Sequence, residues 1–537
     1  AEEISGVTVS GKSIAHQKKE ESMPVTVIDM SNMRGTVSNV QDILAKTVGV
    51  TLRTSGGVGS SSRISVRGLE GKRIGFFIDE LPMSEQTDYL DINDIPIDMI
   101  DRIEIYKGVV PARFGGSSLG GAINIVIREY PDKYADLSYG YESFNTHKAQ
   151  GVFKRNLKAR GYTLGIGGGY TTSDNNYTFD SPYREGLRIT RNHDKYRKYL
   201  IGGGFTAKKW WFDEVEFEPV VVKTYKEVQG IEYDIREAYS ESLMAGLANK
   251  FTKDNFLTEG LNFDMFNGVV LTQMNFIDKA TRRYEWDGSS YPTPSRYGGE
   301  AGYNFPSDSD DQKLSFINKT NLEYIINERH SFNFNSVLSV AEGTPKDELK
   351  TRSLGKQVNF DSHMHSWVSG LTYDLRSLNN VFLNSLTLRY YQYTMHTQMA
   401  PLFVPGKYDV DVHKSNWGVN NALRYRFLPS LMGKLSAGYE VRIPSETELL
   451  GDGISVVPSA DLLPERNTSA NIGVLFDLTG KHRSNAQIEM NFFYMYLQDM
   501  IRYTSGLIGA QYQNFGEMRT LGMEFEAKAD VLPSLYA

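Results

Sequence analysis

The sequence predicts an all-β transmembrane barrel of about sixteen antiparallel strands, which follows a smaller N-terminal α+β domain. Three observations carry this prediction. Short polar turns recur along most of the chain, long segments between them alternate apolar and polar residues, and a glycine-rich run precedes the first turn. We therefore divide the chain into an N-terminal segment (residues 1–23), the α+β domain (24–130) and the barrel (131–537).

The composition of the 537 residues agrees with a β-rich fold and excludes several classes of function. The chain has 49 glycines and 32 tyrosines but no cysteine, which excludes disulfide scaffolds, thiol catalysis and cysteine-based zinc sites. No apolar run approaches the ~18 residues of a transmembrane helix. The net charge of −7 argues against nucleic acid as a partner.

The α+β domain begins with a segment, residues 24–50, whose pattern predicts strand, helix and strand. Val40, Ile43, Leu44 and Val48 have helical spacing and are predicted to lie in the core of this domain. Residues 101–128 then predict a short strand, a glycine-punctuated loop and a second strand over 122–127.

A phosphate-binding loop is the obvious alternative for the glycines between positions 115 and 121. A P-loop requires Lys-Ser/Thr after its last glycine, and a dinucleotide fingerprint requires a helix there. The residues that follow Gly121 are Ala-Ile-Asn-Ile-Val-Ile, which predict a strand and disfavour nucleotide binding.

The barrel is predicted from the spacing of the turns. Successive turns lie about 50 residues apart in most intervals, and they centre near Ala159, Lys208, Asp254, Glu328, Asn379, Pro429, Lys481 and Pro533. A propeller would need turn signals every ten or so residues, whereas each interval here holds two long runs and one long loop. That plan is typical of the hairpins of an outer-membrane barrel, and it counts sixteen strands.

The predicted strands present one apolar and one polar face. Leu521, Met523 and Phe525 alternate with Gly522, Glu524 and Glu526, which fits a lipid-facing exterior and a polar lumen. The tyrosines at 390, 391 and 393 fit either an interfacial aromatic girdle or core packing.

Three motifs in one order resemble the plug domain of TonB-dependent outer-membrane receptors. They are Ile64-Ser65-Val66-Arg67-Gly68, Phe77-Ile78-Asp79-Glu80 and Gly120-Gly121-Ala122-Ile123-Asn124. The resemblance implies that residues 24–130 form a plug inside the lumen of a 22-stranded barrel. Because an open barrel would expose unpaired strand edges in lipid, we expect the native chain to continue by about six strands beyond Ala537.

The resemblance also implies a TonB box in the N-terminal segment, which would bind the energy-coupling protein by β-strand addition. The residues that match it are Ile4, Gly6, Val7, Thr8, Val9 and Ser10. A frayed terminal strand is the structural alternative.

The family carries basic plug residues that face acidic residues of the barrel wall and hold the plug. Arg67 and Lys107 match the basic positions, and Glu524 matches one of the acids. The second acid falls on Asn471, which departs from the family pattern, and Glu465 is a nearby substitute.

Two predicted loops combine aromatic and arginine side chains, which suit a planar anionic ligand such as a catecholate or hydroxamate iron chelate. The candidate ligand-binding residues are Arg282, Arg283, Tyr284, Trp286 and Tyr297 in the longer loop, and Tyr177 and Arg184 in the other. The same surfaces also suit sugars, or loops without a single ligand. His363 and His365 lack further ligands nearby, no catalytic triad stands out, and we predict no enzymatic activity, metal or cofactor.

Taken with the resemblance, these observations predict a TonB-dependent importer in the bacterial outer membrane, with a ferric siderophore as the favoured ligand. Haem is disfavoured because residues 441–464 contain no histidine, where haem receptors of the family usually place one. Cobalamin, glycans and peptides stay open, and the alternative class is a non-transporting adhesin or passive porin. The expected partners are the TonB protein, the small ligand, outer-membrane lipid and a surface lipoprotein, without nucleic acid.

Overall fold

The computed structural model describes most of the chain, in sixteen stretches. These are residues 14–31, 33, 40–54, 56–60, 62–83, 95, 97–128, 131–157, 160–208, 210–301, 305–400, 405–451, 456–478, 486–505, 510–532 and 535–536. The predicted TonB-box residues lie outside them. Among the residues described, none belongs to a helix with the length and apolar character needed to cross a membrane.

The described part of the plug domain contains two short helices and eight strands. Its elements are α1 (Ile14–Lys19), β1 (Val25–Asp29), α2 (Val40–Leu44), β2 (Val50–Thr54), β3 (Ser62–Val66), β4 (Leu69–Glu70), β5 (Ile74–Ile78), β6 (Leu81–Pro82), β7 (Ile100–Lys107) and β8 (Gly121–Ile127), with 3-10 turns at Gly71–Arg73, Ile97–Met99 and Ala112–Phe114. The main sheet has the order β1-β7-β8-β5-β6, in which only β5 and β8 are parallel. A second sheet has the order β2-β3-β4.

Apolar side chains of α2 and of the strands form the core of the plug. Val40, Ile43 and Leu44 are buried in it together with the isoleucines of β7 and β8, as the helical spacing predicts. The prediction for Val48 is wrong, since it lies outside the core and is 40% exposed. The helix ends at Leu44, and the chain turns at Gly49 with a positive φ of 79°, so Val48 leaves the helical face.

The described residues after the plug are mostly β-structure. Its strands are β9 (Lys133–Glu142), β10 (Thr146–Leu157), β11 (Tyr162–Ser173), β12 (Thr178–Asp180), β13 (Arg188–Thr190), β14 (Tyr196–Ala207), β15 (Glu214–Glu227), β16 (Tyr239–Lys253), β17 (Leu261–Asp278), β18 (Arg282–Tyr284), β19 (Ser290–Pro292), β20 (Ser307–Asn327), β21 (His330–Asp347), β22 (Ser362–Arg376), β23 (Phe382–Met399), β24 (Tyr408–Leu428), β25 (Leu431–Arg442), β26 (Glu465–Asp477), β27 (Ala486–Gln498), β28 (Ile501–Ser505), β29 (Ala510–Asn514), β30 (Met518–Leu532) and β31 (Leu535–Tyr536). Helices α3 (Glu348–Leu354) and α4 (Glu446–Leu450) and a 3-10 turn at Leu378–Asn380 lie in connections.

Sixteen long antiparallel strands form the barrel sheet, which confirms the predicted fold class. Each pairs with its neighbour in chain order, and the two-residue β31 completes the closed order between β30 and β9. The hairpins β12–β13, β18–β19 and β28–β29 project from connections instead. Five predicted turn positions, Lys208, Asp254, Glu328, Asn379 and Pro429, fall between consecutive barrel strands, while Ala159, Lys481 and Pro533 lie outside the described residues. We call the end with these short connections the turn side and the opposite end, with mostly long connections, the loop side.

The outer face of the barrel carries two belts of aromatic residues. On β24, Trp417 and Phe427 are 67% and 61% exposed and lie ten residues apart on the outward face. Ten residues of a tilted strand cover roughly 25 Å across a bilayer, which matches its apolar band. Tyr390 packs on Trp417 in the belt farther from the turn side, with ring centroids 4.9 Å apart. Tyr391 and Tyr393 face inward and are buried.

The plug lies inside the barrel, and its N-terminal end emerges on the turn side. The Lys19 ammonium donates to Gln487 Oε1 (2.9 Å), and Lys434 Nζ donates to the Lys19 carbonyl (2.6 Å). Arg426 pairs with Glu20 at 3.0 Å. All three barrel partners lie close to short connections, which places residues 19–20 at that end.

Candidate functional site: plug contacts with the wall and loops

A buried charge cluster joins the plug to the last long strand of the wall. Arg67 donates from Nε to Oε1 of Glu524 (3.0 Å) and from Nη2 to Oε2 (2.9 Å), and Lys107 Nζ lies 3.3 Å from Oε2. The Arg67 side chain is fully buried and that of Glu524 is 8% exposed. The three residues that the sequence predicts as plug anchors are therefore in direct contact.

The backbone around this cluster leaves room for the carboxylate. A Cβ atom at Gly49 would lie 2.2 Å from Glu524 Oε1, so that position requires glycine in both conformation and space. Lys107 Nζ also donates to the Val48 carbonyl at 2.7 Å. The Glu524 carboxylate thus occupies a niche formed by the turn at residues 48–49.

Asn471 occupies the second wall position of the cluster. Its side-chain oxygen accepts from Arg67 Nη1, and its Nδ2 donates to Ser436 Oγ (3.1 Å). The Phe493 ring lies 4.2 Å from the Arg67 guanidinium carbon. The cluster therefore holds two cations and one carboxylate, with an amide where the resembled family has a second acid.

Glu465, the substitute acid considered above, does not face Arg67. It belongs to a separate network on the loop side, in which Arg73 of the plug donates from Nη2 to Oε1 (2.6 Å) and Arg442 donates from Nε to Oε2 (2.6 Å). Arg442 also binds Glu448 at 2.7 and 3.0 Å. Sequence reasoning missed Arg73, Arg442 and Glu448, although Ser-x-x-Glu at 445–448 is a capping-box signal.

Glu448 is the most strongly perturbed acid of this network. Burial alone would raise the pKa of its carboxyl, but the Arg442 charge and hydrogen bonds, the Lys72 charge and the Ser445 backbone N–H lower the pKa to about 2. The capping box of α4 is complete, since Ser445 Oγ accepts from the Glu448 backbone N–H. Lys72 of the plug also donates to Ser445 Oγ (2.7 Å). The 443–451 connection is therefore fixed directly to the plug.

Two barrel residues, Asn175 in the connection after β11 and Lys226 on β15, bind the glycine-rich loop of the plug at residues 56–60. Asn175 accepts from the Val58 backbone N–H (2.9 Å) and donates to the Val58 carbonyl (2.8 Å). Lys226 Nζ donates to the Gly59 carbonyl (2.7 Å). Asn175 is buried with a positive φ of 49°, a conformation that asparagine tolerates better than most residues.

The structure brings the two predicted ligand loops together. Arg184 pairs with Glu285, which joins the 174–195 connection to the 279–306 connection. Three candidate ligand residues make contacts within these loops: Arg282 with Ser290 (3.0 Å), Tyr297 with Arg296 (2.5 Å) and Tyr177 under Arg191 (5.3 Å). Three others contact the neighbouring 228–238 connection: Arg283 over Tyr233 (5.1 Å), Tyr284 under Arg236 (3.9 Å) and Trp286 Nε1 with the Ile231 carbonyl (3.0 Å). These residues thus build the loop surface, and their role toward a ligand stays a prediction.

A cavity of about 110 Å³ lies between the plug, the wall and the 443–451 connection. Its lining combines three cationic groups, one carboxylate, many hydroxyls and a few apolar side chains: Lys72, Lys313 and Arg442; Glu446; Ser117, Ser118, Thr272, Ser339, Ser366, Ser445 and Thr447; and Phe77, Pro82, Met364, Ile443 and Pro444. We call it the loop-side cavity. The Glu446 carboxylate pairs with Lys313 Nζ at 2.5 Å. Among the described residues, no cluster of three or more acidic, histidine or cysteine side chains is arranged to hold a metal ion.

Two family models match the chain. Residues 17–122 match the TonB-dependent Receptor Plug Domain, and residues 249–536 match the model described as TonB dependent receptor-like, beta-barrel.

Individual relatives are more distant. The vitamin B12 transporter BtuB of Vibrio vulnificus is 26% identical over 121 residues, which are 22% of this chain and 20% of the relative. The ferric enterobactin receptor of Pseudomonas aeruginosa is 27% identical over 158 residues, 26% of this chain and 21% of the relative. The aligned part thus spans about a fifth of each curated relative. The solved Serratia marcescens hemophore receptor HasR, in complex with HasA and heme, superposes with a TM-score of 0.68 at 14% identity, over 96% of this chain and 80% of that one, which shows a shared fold.

Proposed function

We propose that this chain, which belongs to the TonB-dependent receptor family of the bacterial outer membrane, imports a scarce ligand by TonB-coupled rearrangement of its plug. The observation that carries the proposal is the arrangement of the plug. It lies inside the barrel, binds the wall through buried charges and meets the loop-side cavity at one end, while residues 19–20 lie at the other. A chain so built can receive a ligand and a pulling force at opposite ends.

Coupling requires the N-terminal segment to bind TonB, and residues 4–10 are the proposed binding strand. Residues 19–20, which follow this segment in the chain, lie on the turn side, where an inner-membrane partner would approach, and this supports the proposal. We further propose that Arg67, Lys107 and Glu524 anchor the plug until that partner pulls. A passive porin would need an open lumen, which a wall-bound plug opposes.

We favour a ferric siderophore as the ligand because three cations line the loop-side cavity against one carboxylate, Glu446, and because many hydroxyls and no histidine line it. The relatives include receptors for vitamin B12, ferric enterobactin and a heme-loaded hemophore, so those three classes are the alternatives to test. Transport is favoured over catalysis because the family whose models match the chain consists of transporters and receptors.

Ligand titrations of the purified protein test this assignment. Tryptophan fluorescence should respond to ferric enterobactin at lower concentration than to heme or cyanocobalamin. Lys313→Met should weaken ferric enterobactin binding by roughly tenfold or more, because a charge-assisted contact is lost. Lys346→Met is the matched control, since Lys346 lies on the neighbouring strand and does not line the cavity. Tighter binding of heme or cyanocobalamin, or equal effects of both lysine changes, would contradict the siderophore assignment.

A further inference from the structure

A second cavity lies closer to the turn side than the loop-side cavity, against the same sector of the wall. It has a volume of about 200 Å³ and is lined mainly by charged and amide side chains: Asp79, Glu80, Arg102, Arg113 and Asn124 of the plug, and Lys250, Asp264, Lys319 and Asn321 of the wall, with Leu81, Val126, Met265 and Phe266. We call it the turn-side cavity. Strands β17 and β20 contribute to both cavities.

The register of β20 fixes how far apart the cavities are. Lys313 lines the loop-side cavity and Lys319 lines the turn-side cavity, so six residues separate them, roughly 20 Å along the strand. The buried residues of β20 between them are Ser315 and Ile317. The stretch of wall between the cavities is therefore short. Along β20 its inward side chains change from polar (Lys313, Ser315) to apolar (Ile317) and back to polar (Lys319).

The plug closes this interval with the β5–β6 hairpin. Phe77 and Pro82 of the hairpin line the loop-side cavity, while its turn, Asp79–Glu80, and Leu81 line the turn-side cavity. Leu81 packs against the wall cluster formed by Phe266, Ile317 and Val337. That apolar contact separates the two polar spaces.

The hairpin turn is held in a strained conformation by polar contacts from several elements. Asp79 and Glu80 both have positive φ angles, 47° and 66°, without a glycine at either position. Asn124 accepts from the Glu80 backbone N–H (2.9 Å), and Lys319 of the wall donates to the Glu80 carbonyl (2.5 Å). Arg113 pairs with the Glu80 carboxylate at 2.6 Å. The wall itself therefore supplies one of the contacts that keep the turn in place.

We propose that the β5–β6 hairpin is a movable partition and that material crosses this protein along the β17–β20 sector, from the loop-side to the turn-side cavity. Displacing Leu81 joins the cavities, and the free energy stored in the turn lowers the cost of that displacement. The proposal rests on the proposed transport function. It assigns opening to movement of the β5–β6 hairpin alone, and the alternative is that the whole plug leaves the barrel.

Potassium conductance in planar bilayers tests the partition without TonB or a ligand, so it can fail independently of the transport assignment. Leu81→Ala removes the apolar contact and should raise the open probability in KCl by at least roughly tenfold over the unaltered protein. Val109→Ala is the matched control, because buried Val109 of the plug contacts a different sector, near Ala422 and Gly438. A sealed Leu81→Ala protein, or equal leakage from the control, would overturn the proposal.

The route itself is located with cysteine variants, since the chain has no native cysteine. In the Leu81→Ala background, Ser315→Cys lies between the cavities, and Ser385→Cys is a serine change of similar burial on β23. A charged methanethiosulfonate reagent should block the potassium current through the first variant and leave the second unchanged. Block at Ser385→Cys, or at neither position, would show that ions pass elsewhere and would refute the route.

Discussion

The buried pair of Arg67 and Glu524 makes the sharpest prediction for plug retention. Two charges about 4 Å apart attract by about 4 kcal/mol at an effective dielectric constant of 20, and the energy of desolvation offsets most of it. Removing one partner deprives the other, still buried, of this pairing, and a buried charge left fully unpaired costs about 3–5 kcal/mol. Arg67→Ala and Glu524→Ala should therefore each lower the free energy of plug release by several kcal/mol.

The two changes should differ in size. After Arg67→Ala the Glu524 carboxylate keeps Lys107 at 3.3 Å, whereas Glu524→Ala leaves both buried cations without their carboxylate. We expect Glu524→Ala to be the more damaging single change. The double mutant should be little worse than Glu524→Ala, with a coupling energy of roughly 1.5 kcal/mol or more.

Plug release can be measured as the urea concentration at which the purified protein begins to conduct KCl in planar bilayers. Arg63→Ala and Glu70→Ala provide the control cycle, because that pair within the plug is separated by 3.8 Å and both side chains are solvent-exposed. Exposed pairs contribute roughly 0–1 kcal/mol. Strictly additive effects of the Arg67 and Glu524 changes would show that the two residues do not act as partners.

Four further changes have defined outcomes. Val7→Pro removes a backbone donor from the proposed added strand, so uptake should stop while ligand binding is kept, and normal uptake would refute the TonB box. Asn471→Asp should raise the urea concentration for plug release by supplying a second carboxylate to two cations, and a lower concentration would contradict that charge balance. Asn175→Ala deletes both hydrogen bonds to Val58, so hydrogen exchange at residues 56–60 should accelerate at least roughly tenfold, and unchanged protection would show that the contact is dispensable. The folded-state pKa of Glu448, about 2, lies below its ordinary value of 4.5, so its stabilisation is complete above about pH 4.5 and is lost as the pH falls toward 2. Exchange protection of α4 should fall over that window by on the order of 3 kcal/mol, and Glu448→Gln should abolish the dependence; an identical pH profile for the variant would exclude this carboxyl as its source.

The strand pattern could be predicted because the lipid and the lumen impose opposite polarities on alternate residues. Leu521 is apolar and 82% exposed, whereas Glu524 is charged and buried, so residue polarity alone indicates the face on which each lies. The short turns follow from the same constraint, since polar residues interrupt each run where the strand leaves the membrane.

Contacts between distant segments could not be read in the same way. Tyr391 and Tyr393 carry no local signal of whether they face lipid or lumen, and only the register of β23 decides it. Glu465 lies on the same inward face of β26 as Asn471 but six residues, roughly 20 Å, nearer the loop side, so it meets Arg73 and not Arg67. The candidate ligand residues are predicted from side-chain type alone, and many of their polar groups hold the loops together. The residue type alone does not indicate whether the polar group of a side chain is already bound by another part of the protein.

The edge position of β1 has a mechanical consequence. β1 is the outermost strand of the plug sheet and the first one after residues 19–20, so tension applied to the N-terminus reaches its Val25 end first. The Pro24 carbonyl accepts from the Lys107 backbone N–H (3.2 Å), next to the pairing of Val25 with Tyr106. Such a force opens hydrogen bonds one after another, as in unzipping, instead of shearing all five residue pairs together. Once the wall contacts of Lys19 and Glu20 have opened, the first sheet bond to break belongs to the backbone of Lys107. The Lys107 ammonium contacts Glu524, so the pull is then delivered directly to the charge cluster that binds the plug to the wall.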